Sequence, residues 1–201
     1  MSRKDGVLIL ECLDKSDPGS EGHFLAHMFD LMNVESQYVE VRTKYQLLAL
    51  LKKPPYKVIH ITTHGSVRGN GQEENFCGLW TKEGTISHKQ IKELDGQLKG
   101  CTIVSTACLS GEPKFSETFK GSGCAHYIAP TGRPRFYNSI FFAHIFYHKY
   151  FILKKEVKDI LLEYKDHYKN PHEFSSISFE DFIDPALHKK FASNDSLQRT
   201  R

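Results

Sequence analysis

The chain has 201 residues, 39% apolar and 12% aromatic, enough to bury one sizeable core and short for two. Its formal charge of +3 resides in residues 189–201, where Lys189, Lys190, Arg199 and Arg201 face only Asp195, so residues 1–188 are formally neutral. No basic stripe interleaved with aromatic residues runs along the chain, which argues against a nucleic-acid partner.

In chain order, Val7–Cys12 reads as a first strand, an apolar run rich in β-formers. Helical spacing follows over Glu21–Met32, a strand over Tyr38–Thr43 and a second helix over Lys44–Lys53. Lys57–Thr63 and Cys101–Ala107 contain VIHITT and TIVSTA, too apolar for a sheet with one solvated face, and are expected as central strands covered on both sides. Between these two strands the pattern predicts a Gly- and Asn-containing loop at Ser66–Glu74, then a hairpin over Phe76–Ile86 turning at Glu83-Gly84. A helix capped by Ser87 follows, from His88 to about Leu98. Gly111–Gly123 reads as an insertion and His126–Ala129 as a fifth strand; helices over Tyr137–Phe151 and Lys154–Lys169 then cover one face of the sheet. The alternation predicts an α/β fold with a mainly parallel sheet, one domain over residues 1–188, and a polar, disordered tail over 189–201.

Five cysteines (Cys12, Cys77, Cys101, Cys108, Cys124) form no CxxC pair and no secretory leader opens the chain, which fits free thiols in a reducing cytoplasm. The most apolar stretch, Ser139–Leu153, is broken by His144, His148 and Lys149 and falls short of the ~20 residues a membrane span needs.

Two strand ends carry the chemistry. VIHITTHG runs into His64-Gly65, and TIVSTACLSG runs into Cys108 and then Ser110-Gly111. With one hairpin and one helix between them, a right-handed crossover sets the two strands side by side, and both residues face one cleft at the carboxyl-terminal edge. A thiol with a pKa of about 8.5 is only a few per cent thiolate at neutral pH, so it needs an imidazole as base or as the cationic half of an ion pair. Gly65 and Cys108 could offer backbone N–H groups as an oxyanion hole.

These segments resemble the CHAT family of peptidases, relatives of caspases, separases and metacaspases. In that family a strand ends in His-Gly, often with a His four residues earlier, and a later strand ends in Ser/Thr-Ala-Cys-x-Ser-Gly. His60, His64 and Gly65 match the first block; Thr106, Ala107, Cys108, Ser110 and Gly111 match the second. The resemblance spans about Val7 to Tyr164. It implies a caspase-like three-layer α/β/α fold, His64 as base, Cys108 as nucleophile, the Gly65 and Cys108 amides as oxyanion donors, no fixed third acid and no cofactor. The implied activity is a cysteine endopeptidase that cuts a protein partner in limited, regulatory proteolysis, with any regulator a separate protein or a loop rearrangement. His60, roughly 13 Å from His64 along an extended strand at ~3.3 Å per residue, reads as a core histidine with its hydrogen bonds satisfied.

In caspase-like enzymes the residue two before the nucleophile lines the pocket for the side chain preceding the cut. Here that residue is the neutral Thr106, and the loop after the next strand offers Arg133 and Arg135, so an acidic or small neutral side chain is expected there. The same two arginines also read as solvated loop charges. His144 and His148 have helical metal-chelating spacing, but position 145 is Ile where a zinc-peptidase motif needs Glu, and no metal is expected. Two other classes stay open: a catalytically silent caspase-like scaffold in a signalling complex, and a doubly wound nucleotide module, for which Gly19 and Gly22 are in the wrong order.

Overall fold

The computed structural model describes residues 2–14, 17, 20–68, 75–167 and 179–181. Its centre is a six-stranded sheet in the order β2-β1-β3-β7-β8-β9. The strands are β1 (Lys4–Glu11), β2 (Ser36–Glu40), β3 (Tyr56–Thr62), β7 (Thr102–Ser105), β8 (His126–Pro130) and β9 (Phe179–Asp181). The first five are mutually parallel and β9 runs antiparallel to β8. β4 (Gly65–Arg68), β5 (Asn75–Thr81) and β6 (Gly84–Ile86) form a separate antiparallel sheet between β3 and β7 in sequence.

The side-chain period of two along each strand sorts the core into two layers. Leu8, Leu10, Ile59, Ile61 and Ile103 face one side, with α2 (Lys44–Lys52), α3 (His88–Lys92) and α4 (Pro113–Gly121). Val7, Ile9, Val58, Val104 and Ile128 face the other, with α1 (Glu21–Leu31), α5 (Phe136–Tyr147) and α6 (Val157–His167). The result is helix, sheet, helix, with β3 and β7 covered on both faces as their apolar runs require. No described helix is long and apolar enough to cross a membrane.

Several boundaries depart from the sequence pattern. β2 starts two residues early, at Ser36, because it pairs with β1 from Val7↔Ser36 onward. The helix expected to reach Leu98 stops at Lys92; turns follow, and Leu94 and Leu98 are still buried. The segment read as an insertion contains α4, with Pro113 in its first turn and the Glu112 carboxylate accepting the Phe115 N–H at 3.0 Å. The long aromatic helix ends as α at Tyr147 and continues as a π turn, His148–Ile152. The loop expected from Ser66 is a strand as far as Arg68, and residues 69–74, like the tail 189–201, lie outside the described residues. β9 was not foreseen. Phe179 stacks on Phe142 with ring centroids 3.9 Å apart, and Asp181 accepts the Tyr127 N–H at 3.2 Å and pairs with His126 Nδ1 at 2.6 Å.

Candidate active site

β3 and β7 are direct neighbours, paired from Val58↔Thr102 to Ile61↔Ser105, so the chain leaves both strands at the same edge of the sheet. Cys108 and His64 lie just past these ends and line one cavity with Thr106, Glu21, Phe136 and Ser139. The even-numbered residues Val58, His60 and Thr62 of β3 share the α1/α5 face, and so does Val104 of β7; the cavity opens where that face meets the edge.

The two strand ends are also locked to each other. A methyl group on Gly65 would sit 1.9 Å from the Cys108 carbonyl oxygen, so only glycine lets the two backbones come this close. Besides the approach of a substrate carbonyl that the sequence suggests for Gly65, the residue meets a packing requirement, since its immediate neighbour is the Cys108 main chain.

The loop carrying Cys108 is tightly held. Leu109 adopts a left-handed backbone (φ 60°) and its N–H donates to Gly132 O at 2.7 Å. Gly111 N–H donates to Pro130 O at 3.2 Å, Ser110 Oγ lies 2.9 Å from Ser105 Oγ, and the buried Tyr127 hydroxyl donates to Ser110 O at 2.9 Å. A non-glycine residue with positive φ beside the thiol is the kind of local strain that clusters at working sites.

His64 is oriented by a residue the sequence did not single out. Asp17, 14% exposed, holds His64 Nε2 at 2.8 Å, and the ring sits edge-on between Trp80 and Phe136, each centroid 5.9 Å away. With Nε2 occupied by the carboxylate, Nδ1 is the nitrogen left for proton transfer. The resemblance implied no third acid, and no spacing rule links Asp17 to His64 across the intervening strands.

The thiol itself rests. Its hydrogen bond is to Pro134 O, with sulfur and oxygen 4.0 Å apart, and burial pushes the Cys108 thiol above its ordinary pKa, opposed by its own backbone N–H. Because the shift is upward, thiolate accumulates only at higher pH than for a free thiol. The alkylation rate of Cys108 in the substrate-free protein is expected to rise with a midpoint above that of a free cysteine, followed by iodoacetamide labelling and peptide mass analysis. A midpoint near neutrality would mean that the thiol is already activated.

Beneath the cavity lies a buried polar cluster, also absent from the sequence reading. Glu21 opens α1, whose start is anchored by Glu11 at the end of β1: the Glu11 carboxylate accepts from Ser20 Oγ (2.7 Å), the Gly22 N–H (3.0 Å) and the Tyr38 hydroxyl (2.5 Å). Glu21 Oε2 accepts the hydroxyls of Thr62 (2.8 Å) and Thr106 (3.1 Å), while Oε1 lies 2.9 Å from His60 Nε2. His60 Nδ1 lies 2.8 Å from the Tyr147 hydroxyl. Both ring nitrogens of the fully buried His60 are therefore engaged, in keeping with its reading as a core histidine.

Of the other sequence candidates, Thr106 lines the cavity, whereas Arg133 and Arg135 are exposed on either side of the lining residue Pro134 and are not part of the lining. His144 and His148 are exposed, and among the described residues no group of three or more His, Cys, Asp or Glu side chains gathers as a metal site. Compared with models of known protein families and with curated protein sequences, the chain matches none.

Proposed function

We propose that this protein is a cysteine endopeptidase of the caspase-like, CHAT type, with Cys108 as nucleophile and His64 as its base. The observation that carries this reading is the shared cavity: a histidine oriented by a carboxylate and a cysteine on a strained loop meet at the carboxyl edge of two adjacent parallel strands. In this mechanism the Cys108 thiol gives its proton to His64 Nδ1 and its sulfur attacks the scissile carbonyl carbon. Backbone N–H groups of Gly65 and Cys108 hold the resulting oxyanion. The C–N bond then breaks, His64 returns the proton to the leaving amine, and a thioester remains on Cys108. Water, deprotonated by His64, releases the acid and regenerates the thiol. Asp17 acts as a positioning residue, fixing the ring and supporting the imidazolium.

The thiol's contact with Pro134 O supports a resting state in which nucleophile and base await a substrate or a protein regulator. The same contact favours the second reading, a silent scaffold that binds a partner without cutting it. The free thiols fit a reducing compartment, the cytoplasm.

The test is labelling with an electrophilic peptidyl probe. Modification at Cys108 is expected in the wild-type protein and none in Cys108→Ala, with a loss of roughly a hundredfold or more in rate for His64→Ala. Asp17→Asn is expected to slow it roughly tenfold to a hundredfold while leaving probe affinity unchanged. Labelling of Cys108 that is indifferent to His64 would remove the peptidase reading and leave the scaffold.

A further inference from the structure

The cavity beside Cys108 has a carboxylate in its lining. Glu21 is 2% exposed, and among the described residues no lysine or arginine pairs with it. The hydrogen bonding of its cluster follows from the far end. Tyr147 is fully buried, and burial and the nearby Glu21 carboxylate keep its hydroxyl protonated. That hydroxyl has no other acceptor among the described residues, so it donates to His60 Nδ1, and the ring hydrogen sits on Nε2, donating to Glu21. Glu21 therefore meets one imidazole and two hydroxyls, and no lysine or arginine among the described residues. A carboxylate withdrawn from water without a counter-ion is costly, and the open cavity is the side from which a cation can reach it.

We propose, resting on the peptidase reading above, that this cavity receives the side chain of a lysine or arginine, the residue whose carbonyl carbon Cys108 attacks. About 40 Å³ of space suits a few waters or the slender end of a straight side chain. Pro134 and Phe136 offer apolar surface to a methylene stem, and Thr63 and Ser139 add polar groups to the lining. The neutral Thr106 does not signal a neutral pocket: its hydroxyl donates to Glu21, so the acid acts from α1, 85 positions away in sequence. This reverses the preference for an acidic or small neutral side chain expected from Thr106, Arg133 and Arg135.

The experiment compares ketone-based peptidyl probes ending in Lys, Arg, Ala or Asp on the full chain, reading the rate of Cys108 modification. Lys- or Arg-ending probes are expected to react roughly tenfold to a hundredfold faster than Asp- or Ala-ending ones, the range a charge-assisted hydrogen bond supplies. Glu21→Gln, checked for an intact melting transition, is expected to erase the difference. A second measurement needs no variant: agmatine, a slender guanidinium compound, is expected to slow iodoacetamide alkylation of Cys108 in the wild-type protein. Asp- or Ala-ending probes reacting as fast as basic ones, or alkylation indifferent to agmatine, would overturn the cation cavity and leave the nucleophile standing. Protection by agmatine in a protein that takes up no peptidyl probe would instead overturn the peptidase reading while the cation cavity stands.

Discussion

Gly65→Ala is expected to abolish most Cys108-dependent activity and to cost stability. The added methyl would lie 1.9 Å from the Cys108 carbonyl oxygen, 2.9 Å from its carbon and 3.3 Å from the Phe76 ring. Neither backbone is free to retreat. On one side Trp80 N–H donates to His64 O at 2.9 Å and Thr63 Oγ1 donates to Trp80 O at 2.6 Å; on the other, Leu109 N–H is bound to Gly132 O at 2.7 Å. Relief therefore requires His64 or Cys108 to move, and a displacement of about 1 Å at reacting groups costs on the order of a hundredfold in rate. Forcing a methyl into packed backbone costs roughly 1–3 kcal/mol besides. The control is Gly121→Ala in α4, where the new methyl meets nothing within 4 Å, and a change within about 0.5 kcal/mol is expected. Probe-labelling rates and thermal melts of both variants check this; a Gly65→Ala protein that labels and melts like wild type would show that the two strand ends are not locked.

His60→Ala is expected to be the most destabilising single change at this edge of the sheet. It opens a ring-sized void between α1, α5 and the sheet, leaves the Tyr147 hydroxyl without its acceptor, and removes a hydrogen-bond donor from a carboxylate that is 2% exposed. Cutting a buried ring back to alanine costs about 3–5 kcal/mol, to which the polar groups left without partners add, and for a chain of this size this lowers the melting temperature by roughly 10 °C or more. Tyr147→Phe, which removes only the outer hydroxyl, is expected to cost about 1–2 kcal/mol. Denaturant melts of the two variants give the comparison. A loss below about 1 kcal/mol for His60→Ala would mean that water or a rearranged side chain takes over its hydrogen bonds.

The sheet was legible because its strands are apolar runs with period two, and the pairing of β3 with β7 followed from chain connectivity alone. The candidate nucleophile and base were legible for the same reason, since each stands just beyond a readable strand. Asp17 and Glu21 were not. An acid in a polar loop, or at the start of a helix, looks like any solvated carboxylate until the fold brings it against partners 47 and 85 positions away. α4 was hidden by the glycines at 111, 121 and 123, which punctuate its segment like a loop, although Pro113 and the Glu112 cap mark a helix start. β9 contributes only three residues, too few for a periodic pattern, and owes its place to Phe179 and Asp181.

The anchoring of α1 by Glu11 has a consequence for how such a site can be altered. Asp17, which steadies the histidine, sits in the short connection between β1 and α1, Glu21, which lines the cavity, is the first residue of α1 itself, and Glu11 fixes where that connection ends. In a peptidase built this way, turnover and selectivity are not independent traits. A change in the length of the connection shifts both acids together, so a graft of residues 11–22 onto a related scaffold would carry the two properties across as one unit.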